Sequence, residues 1–134
     1  MIILDELQGL GLEEAIAHWY RGAVLVVKQL RPGTVIKDEA IPILLRRAHQ
    51  PTFVTINYSD FWRRLPAEPS FCLVCFKLTA DQAQEIPVML RRLLGLPEFR
   101  TKRKRMGKVA SVSRRGIQYY SAHDKLIHIL GWER

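Results

Sequence analysis

The chain has 134 residues, nearly half of them hydrophobic and a quarter charged, which is the composition of one globular domain with its own core. No apolar run approaches the roughly 18–20 residues that a membrane helix needs, and the start, Met1-Ile2-Ile3-Leu4-Asp5, lacks the basic segment of a signal peptide. The net charge of +8 is confined to residues 100–134, where ten Lys or Arg face two acids, whereas residues 1–99 carry eleven of each sign. Such a segment points to a polyanion partner, and nucleic acid is the usual one.

In chain order, Ile2-Ile3-Leu4 reads as a short buried strand ending at Asp5. Leu12, Ala15, Ile16 and Trp19 repeat at helical spacing over residues 12–20, with Glu13 and Glu14 in the first turn, where the helix dipole favours acids. Residues 23–27 form a Val-rich run with the length of a buried strand, and Pro32-Gly33 marks a turn. Asp38 reads as the N-cap of a helix over 39–48, with Pro42 near its first turn and Arg46 and Arg47 at its end. Residues 52–56 and 70–78 are the next strands. Thr79 and Gln82 have the spacing of a capping box opening a helix that runs to about Leu94, and Pro87 must bend or split it.

Strand and helix alternate four times, which predicts an α/β fold. The expected form is a parallel sheet with helices on both faces over residues 1–96. Residues 97–134 form a basic extension packed on the same domain. Its sequence alternates on either side of Arg115-Gly116, as a β-hairpin does. Cys72 and Cys75 lie three apart, so on a strand their thiols face opposite ways. No second Cys pair or nearby His completes a zinc set, and the two read as small core residues in a reducing, cytoplasmic compartment.

In an open parallel sheet, functional groups gather beyond the carboxyl ends of the strands. Asp5 and Glu6 follow the first strand, Asp38 and Glu39 open the helix after the second, and Asn57 and Asp60 follow the third. Clustered carboxylates repel one another unless a cation neutralises them, and a hard dication such as Mg²⁺ or Mn²⁺ takes oxygen ligands. Each residue also has a plainer role. Asp38 and Asp60 could cap helices, Glu39 could be a first-turn acid and Asn57 a turn residue. Asp5, directly after a buried strand, needs a partner in either case. The four histidines have no useful spacing partners and read as solvated or structural.

The segments "IILDE", "KDEAI" and "TINYSDF", in this order, resemble PIN-like domains of the VapC toxin type, in particular the small families that open with Leu-Asp-Glu. The likeness spans about residues 1–95. It implies a Rossmann-like three-layer α/β/α sandwich and a Mg²⁺- or Mn²⁺-dependent ribonuclease, the toxin of a toxin–antitoxin pair. Asp5, Asp38 and Asp60 match the acids of that family, with Glu39, Glu6 and Asn57 second in line. Larger members carry a further acid before the last motif, and residues 40–56 hold none. An antitoxin and a homodimer are the partners that such a toxin implies.

Arg100, Lys102, Arg103, Lys104, Arg105 and Lys108 form the densest basic cluster, with Arg114 and Arg115 at the hairpin tip. RNA is the expected partner, held through phosphates, and Tyr119 or Tyr120 could stack on a base. The alternatives are a non-catalytic nucleic-acid-binding module, or a protein-interaction domain whose basic tail docks an acidic partner.

Overall fold

The computed structural model describes residues 1–5, 11–30, 38–56 and 58–132, without the side chains of Asp38, Ser59 and Asp60. The elements are β1 (Ile2–Leu4), α1 (Leu12–Ala17), β2 (Val24–Val26), α2 (Ile41–Arg47), β3 (Thr52–Thr55), α3 (Tyr58–Phe61), β4 (Cys72–Phe76), α4 (Ile86–Leu93), α5 (Lys102–Arg105), β5 (Lys108–Val112), β6 (Ile117–Ser121) and β7 (His128–Leu130). One seven-stranded sheet runs in the order β2-β1-β3-β4-β5-β6-β7. The first five strands are parallel, and β6 and β7 are each antiparallel to their predecessor. The basic extension is therefore part of the sheet itself, because β5 lies parallel on β4 and its hairpin partner carries the sheet outward.

Strands β1, β3 and β4 are buried along their whole length, which is why they read as continuous apolar runs. Alternate side chains feed two cores. Ile2, Leu4, Val54 and Val74 face one core with Leu12 and Ile16 of α1 and Ile86, Leu90 and Leu93 of α4. Ile3, Phe53, Leu73 and Val109 face the other with Ile41 and Leu45 of α2 and Phe61 of α3. Helices thus cover both faces of a mostly parallel sheet, an architecture compatible with a Rossmann-like fold. Among the described residues, no helix is long and apolar enough to cross a membrane. Cys72 and Cys75 fall into different cores as their spacing predicts. Both are free and buried, and burial pushes each thiol up to about 12.

Local signals explain the helix boundaries. Thr79 and Gln82 form the expected reciprocal box. It opens a 3₁₀ segment, Ala80–Glu85, and Pro87 sits in the first turn of the α-helix that follows, where its missing N–H costs nothing. Pro42 has the same place in α2. One expectation needs correction here. Asp38 is not the N-cap of α2, because Asp38–Ala40 forms a 3₁₀ turn and Ala40 occupies the cap position without a side-chain bond. In the β5–β6 turn Gly116 is required by close approach, since a Cβ there would lie 2.7 Å from the Leu130 carbonyl oxygen.

One member of the basic run does not face solvent with the rest. Thr101 caps α5 through the Lys104 N–H. Arg105 then turns inward and is 5% exposed. Its Nε donates to Thr52 Oγ1 at 3.2 Å, and its Nη1 donates to the carbonyls of Phe99 at 3.0 Å and Arg100 at 3.3 Å. Removing it leaves buried acceptors without donors, each costing about 1–3 kcal/mol. Arg105→Ala should therefore lower unfolding stability in urea by about 3 kcal/mol, while Lys104→Ala, on the exposed side of the same turn, should change it by less than about 0.5 kcal/mol. The two thiols offer a second check. In the native protein at pH 8 a water-soluble thiol reagent should label neither Cys72 nor Cys75, and in guanidinium it should label both, because burial withholds the reactive thiolate.

Candidate functional site

The strand order reverses between β1 and β3. The chain leaves β1 through α1 on one face to reach β2, then crosses back by α2 on the other face to β3. Open α/β sheets bind ligands at such a switch point, outside the carboxyl ends of the strands. Leu4 and Val54 are in register, so the next residue of each strand, Asp5 and Thr55, meet across the junction. The Thr55 hydroxyl donates to Asp5 Oδ2 at 2.7 Å, and the Asp5 N–H donates to the Val54 carbonyl at 2.8 Å. Thr55 is fully buried and Asp5 half-buried. The partner that a carboxylate at the end of a buried strand requires is therefore a hydroxyl on the neighbouring strand.

Other sequence-predicted residues belong to elements near the same edge. The Asp38–Ala40 turn precedes α2, which ends where β3 begins, so the turn lies towards the carboxyl edge. Glu39 on this turn is exposed. Helix α3 starts three residues after Thr55, and Asp60 is its third residue. The plainer alternative for Asp60, a helix cap, is thereby corrected, because the helix begins two residues earlier than its sequence suggests. Glu6 and Asn57, like the side chains of Asp38 and Asp60, lie outside the described residues. Among the described residues no group of three His, Cys, Asp or Glu is placed to hold a metal ion. Asp5 supplies the carboxylate oxygens that a hard dication takes, whereas Cys72 and Cys75 lie in different cores and cannot share a soft one.

The basic residues are distributed differently from the acids. Arg105 bonds to Thr52, the first residue of β3, while Thr55 at the other end of that strand bonds to Asp5. Three residue steps separate these ends, about 10 Å of strand. The α5 cluster thus sits at the amino edge of the sheet and the candidate acids at the carboxyl edge. Three of the expected phosphate contacts are already engaged. Arg105 is buried, and Lys108 donates to the Glu98 carbonyl at 2.7 Å with its ammonium pKa lowered by burial. Arg114 forms a two-pronged ion pair with Glu85. Arg100, Arg103, Lys104 and Arg115 remain exposed, and Lys102 is half-buried.

Neither tyrosine of β6 is a free stacking platform. Tyr119 packs edge-on against Phe99 and stacks on His128, with centroids 5.4 and 5.0 Å away. The Tyr120 hydroxyl donates to the Leu65 carbonyl at 2.7 Å, and its ring meets Trp62. His128 is structural, with Nε2 2.7 Å from Asp124 Oδ2.

Two residues at the carboxyl edge escaped the sequence reading. Lys77, one residue past β4, holds its Nζ 5.5 Å from the centroid of the Tyr58 ring. Tyr58 in turn receives a hydrogen bond from Ser111 on β5 at 3.3 Å. No local pattern marks either residue, and only the parallel pairing of β3 with β4 brings them together.

Compared with known proteins, the chain matches no family model, no curated protein and no solved structure.

Proposed function

We propose that this protein is a metal-dependent ribonuclease of the PIN-like type, cleaving RNA phosphodiesters at the carboxyl edge of its sheet. The observation that carries the reading is the Asp5 carboxylate, half-buried at the topological switch point and held from the neighbouring strand by Thr55. Two further acidic segments, Asp38–Ala40 and the start of α3, belong to elements at that edge. The net charge of +8 suits a polyanionic substrate. The sequence resemblance extends the proposal to the toxin half of a toxin–antitoxin pair.

In this reading Asp5, Asp38 and Asp60 would hold Mg²⁺ or Mn²⁺. When bound, such an ion lowers the pKa of water to near neutrality and balances charge on the phosphate oxygens. The contribution of this chain's own groups follows from their positions. Thr55 fixes the Asp5 carboxylate by donating to Oδ2, so that the ligand is oriented before the ion arrives. Glu39, exposed on its turn, is the candidate to accept the proton of the attacking water, and Glu6 is the alternative. Asn57 would supply a neutral oxygen or a donor beside them.

Two experiments test the proposal. The first compares wild type with Asp5→Asn and Asp38→Asn. A bound dication contributes several kcal/mol of transition-state stabilisation, so each variant should lose about 100-fold or more of Mn²⁺-dependent RNA cleavage. Asp5→Asn should also lose Mn²⁺ binding in calorimetry. Cleavage at wild-type rate by both variants would remove these acids from the chemistry. The second concerns the supporting hydroxyl. Thr55→Val should weaken Mn²⁺ binding by about 10- to 100-fold, and Thr55→Ser, which keeps the donor, should restore it. Equal affinities for Val and Ser would show that the hydroxyl does not serve the site.

A further inference from the structure

Beyond the acids, the α3 side of the outer strands carries an open, cationic shelf. Register places Val109 opposite Tyr120, Ser111 opposite Gln118 and Gln118 opposite Ile129, so these side chains share one face. Helix α3 covers only the β5 side of that face, leaving Gln118 exposed and Ile129 76% exposed. Two clefts open there. One, of about 310 Å³ beside the carboxyl edge, is lined by Tyr58, Lys77, Ser111, Arg115 and Gln118 among others. The second, of about 410 Å³, lies against Arg63, Arg64, Tyr120 and Lys125.

A row of partly exposed rings joins the two. Tyr58 and Trp62 stack with centroids 6.0 Å apart and planes 27° apart, and Trp62 meets Tyr120 at 5.4 Å. Five cations line the clefts, and no Asp or Glu is among their described lining residues. Aromatic faces set in a positively charged groove are the means by which proteins hold single-stranded nucleic acid. Duplex would present its phosphates but keep its base faces stacked away from these rings.

We infer that this shelf, from Lys77 and Arg115 along Tyr58 and Trp62 to Arg63 and Arg64, binds single-stranded RNA and leads it to the carboxyl edge. The inference rests on the ribonuclease reading for the fate of the strand, but not for its binding. Lys77 and Arg115 take phosphates at the end nearest Asp5, and the solvent-facing parts of the Tyr58 and Trp62 rings, left open by their mutual stacking, take bases. The Lys77–Arg115 end of this seat is distinct from the α5 cluster, which lies at the opposite edge of the sheet.

The test is fluorescence anisotropy with a labelled 12-nucleotide oligouridylate in EDTA, where no metal-dependent cleavage can occur. Two double variants remove equal charge from opposite edges: Lys77→Ser with Arg115→Ser, and Arg103→Ser with Lys104→Ser. The first should weaken binding by about tenfold more than the second and flatten the salt slope by about 1.4, the value for two phosphates of a single strand. Tyr58→Leu should weaken binding by about fivefold or more, and Tyr58→Phe should not. Equal losses from the two double variants would overturn the inference, as would a loss confined to Arg103 and Lys104. Competition by polyglutamate as effective as that by RNA would also overturn it, in favour of an acidic protein partner.

Should Tyr58→Leu fail to fold, photocrosslinking of 4-thiouridine RNA to the wild type decides the matter. Adducts on peptides carrying Tyr58 or Trp62 support the shelf, and adducts confined to residues 100–105 exclude it. The two readings fail separately. RNA bound on the shelf but uncut in Mn²⁺ would sink the nuclease alone. Cleavage with an unchanged KM in the Lys77/Arg115 variant would sink the shelf alone.

Discussion

The hydrogen bond from Thr55 to Asp5 joins two residues fifty positions apart, and it exists only because β3 returns to lie beside β1. A carboxylate half-withdrawn from water is costly unless a donor reaches it. Thr55 supplies that donor from a fully buried position, so its own hydroxyl is satisfied by the same bond. The Asp5 N–H is taken by Val54 in continuation of the ladder. Backbone and side chain therefore agree on the position of Asp5, and the rest of the carboxyl edge is organised around it. Were β3 added outside β2, as in a sheet wound in one direction, this junction would not form and Asp5 would meet no hydroxyl.

The same sheet separates opposite charges. At the amino edge, Arg105 closes the connection between α4 and β5 by donating to two carbonyls and to Thr52. The planar guanidinium suits this task, since it reaches several acceptors from one rigid fork, while an ammonium group presents a single point. No carboxylate shares its site among these bonds, so the charge is solvated by two backbone carbonyls and one hydroxyl. Lys108 does similar work nearby, its ammonium on the Glu98 carbonyl and its charge 5.2 Å from the Phe99 and Tyr119 rings. Part of the charge that reads as a polyanion footprint is thus used in holding the last parallel strand.

How far the sequence could be read follows from which forces are local. Strands β1, β3 and β4 were legible because burial on both faces demands unbroken apolar runs. The Thr79–Gln82 box and the split at Pro87 were legible because capping and ring sterics act within one turn. Strand β7 was not. His128-Ile129-Leu130 is three residues long, with Ile129 exposed, and it pairs only because β6 offers an edge. Arg105 could not be told from Lys104, because adjacent cations in one turn differ only in which way the turn faces. The tyrosines show the converse limit. Alternation correctly puts Tyr119 and Tyr120 on opposite faces, but it cannot say that Phe99 covers one and Trp62 the other. At the candidate site the sequence supplied Asp5 and its need for a partner; it could not supply Thr55 as that partner, or Lys77 beside Tyr58.

The two faces of the outer strands differ for a reason built into the chain order. On the α4 side, Ile117 is buried, and Tyr119, Leu130 and Trp132 pack against the core beneath the helix, with the Trp132 indole N–H donating to the Ser113 carbonyl. On the α3 side, the connection from β3 to β4 provides a helix of only four residues. Such a helix spans about 6 Å, little more than the spacing of one strand pair. It roofs β4 and the near side of β5, the residues after it reach β6 at Tyr120 through Trp62 and Leu65, and Gln118 and Ile129 are left uncovered. A sheet face left beyond the reach of its helix must meet either water or a ligand, and here it carries Gln118 and Ile129 flanked by arginines and lysines rather than an apolar plane. The path to the carboxyl edge on this side passes Tyr58 and Lys77, and a strand approaching Asp5 along it would meet the cations before the acid.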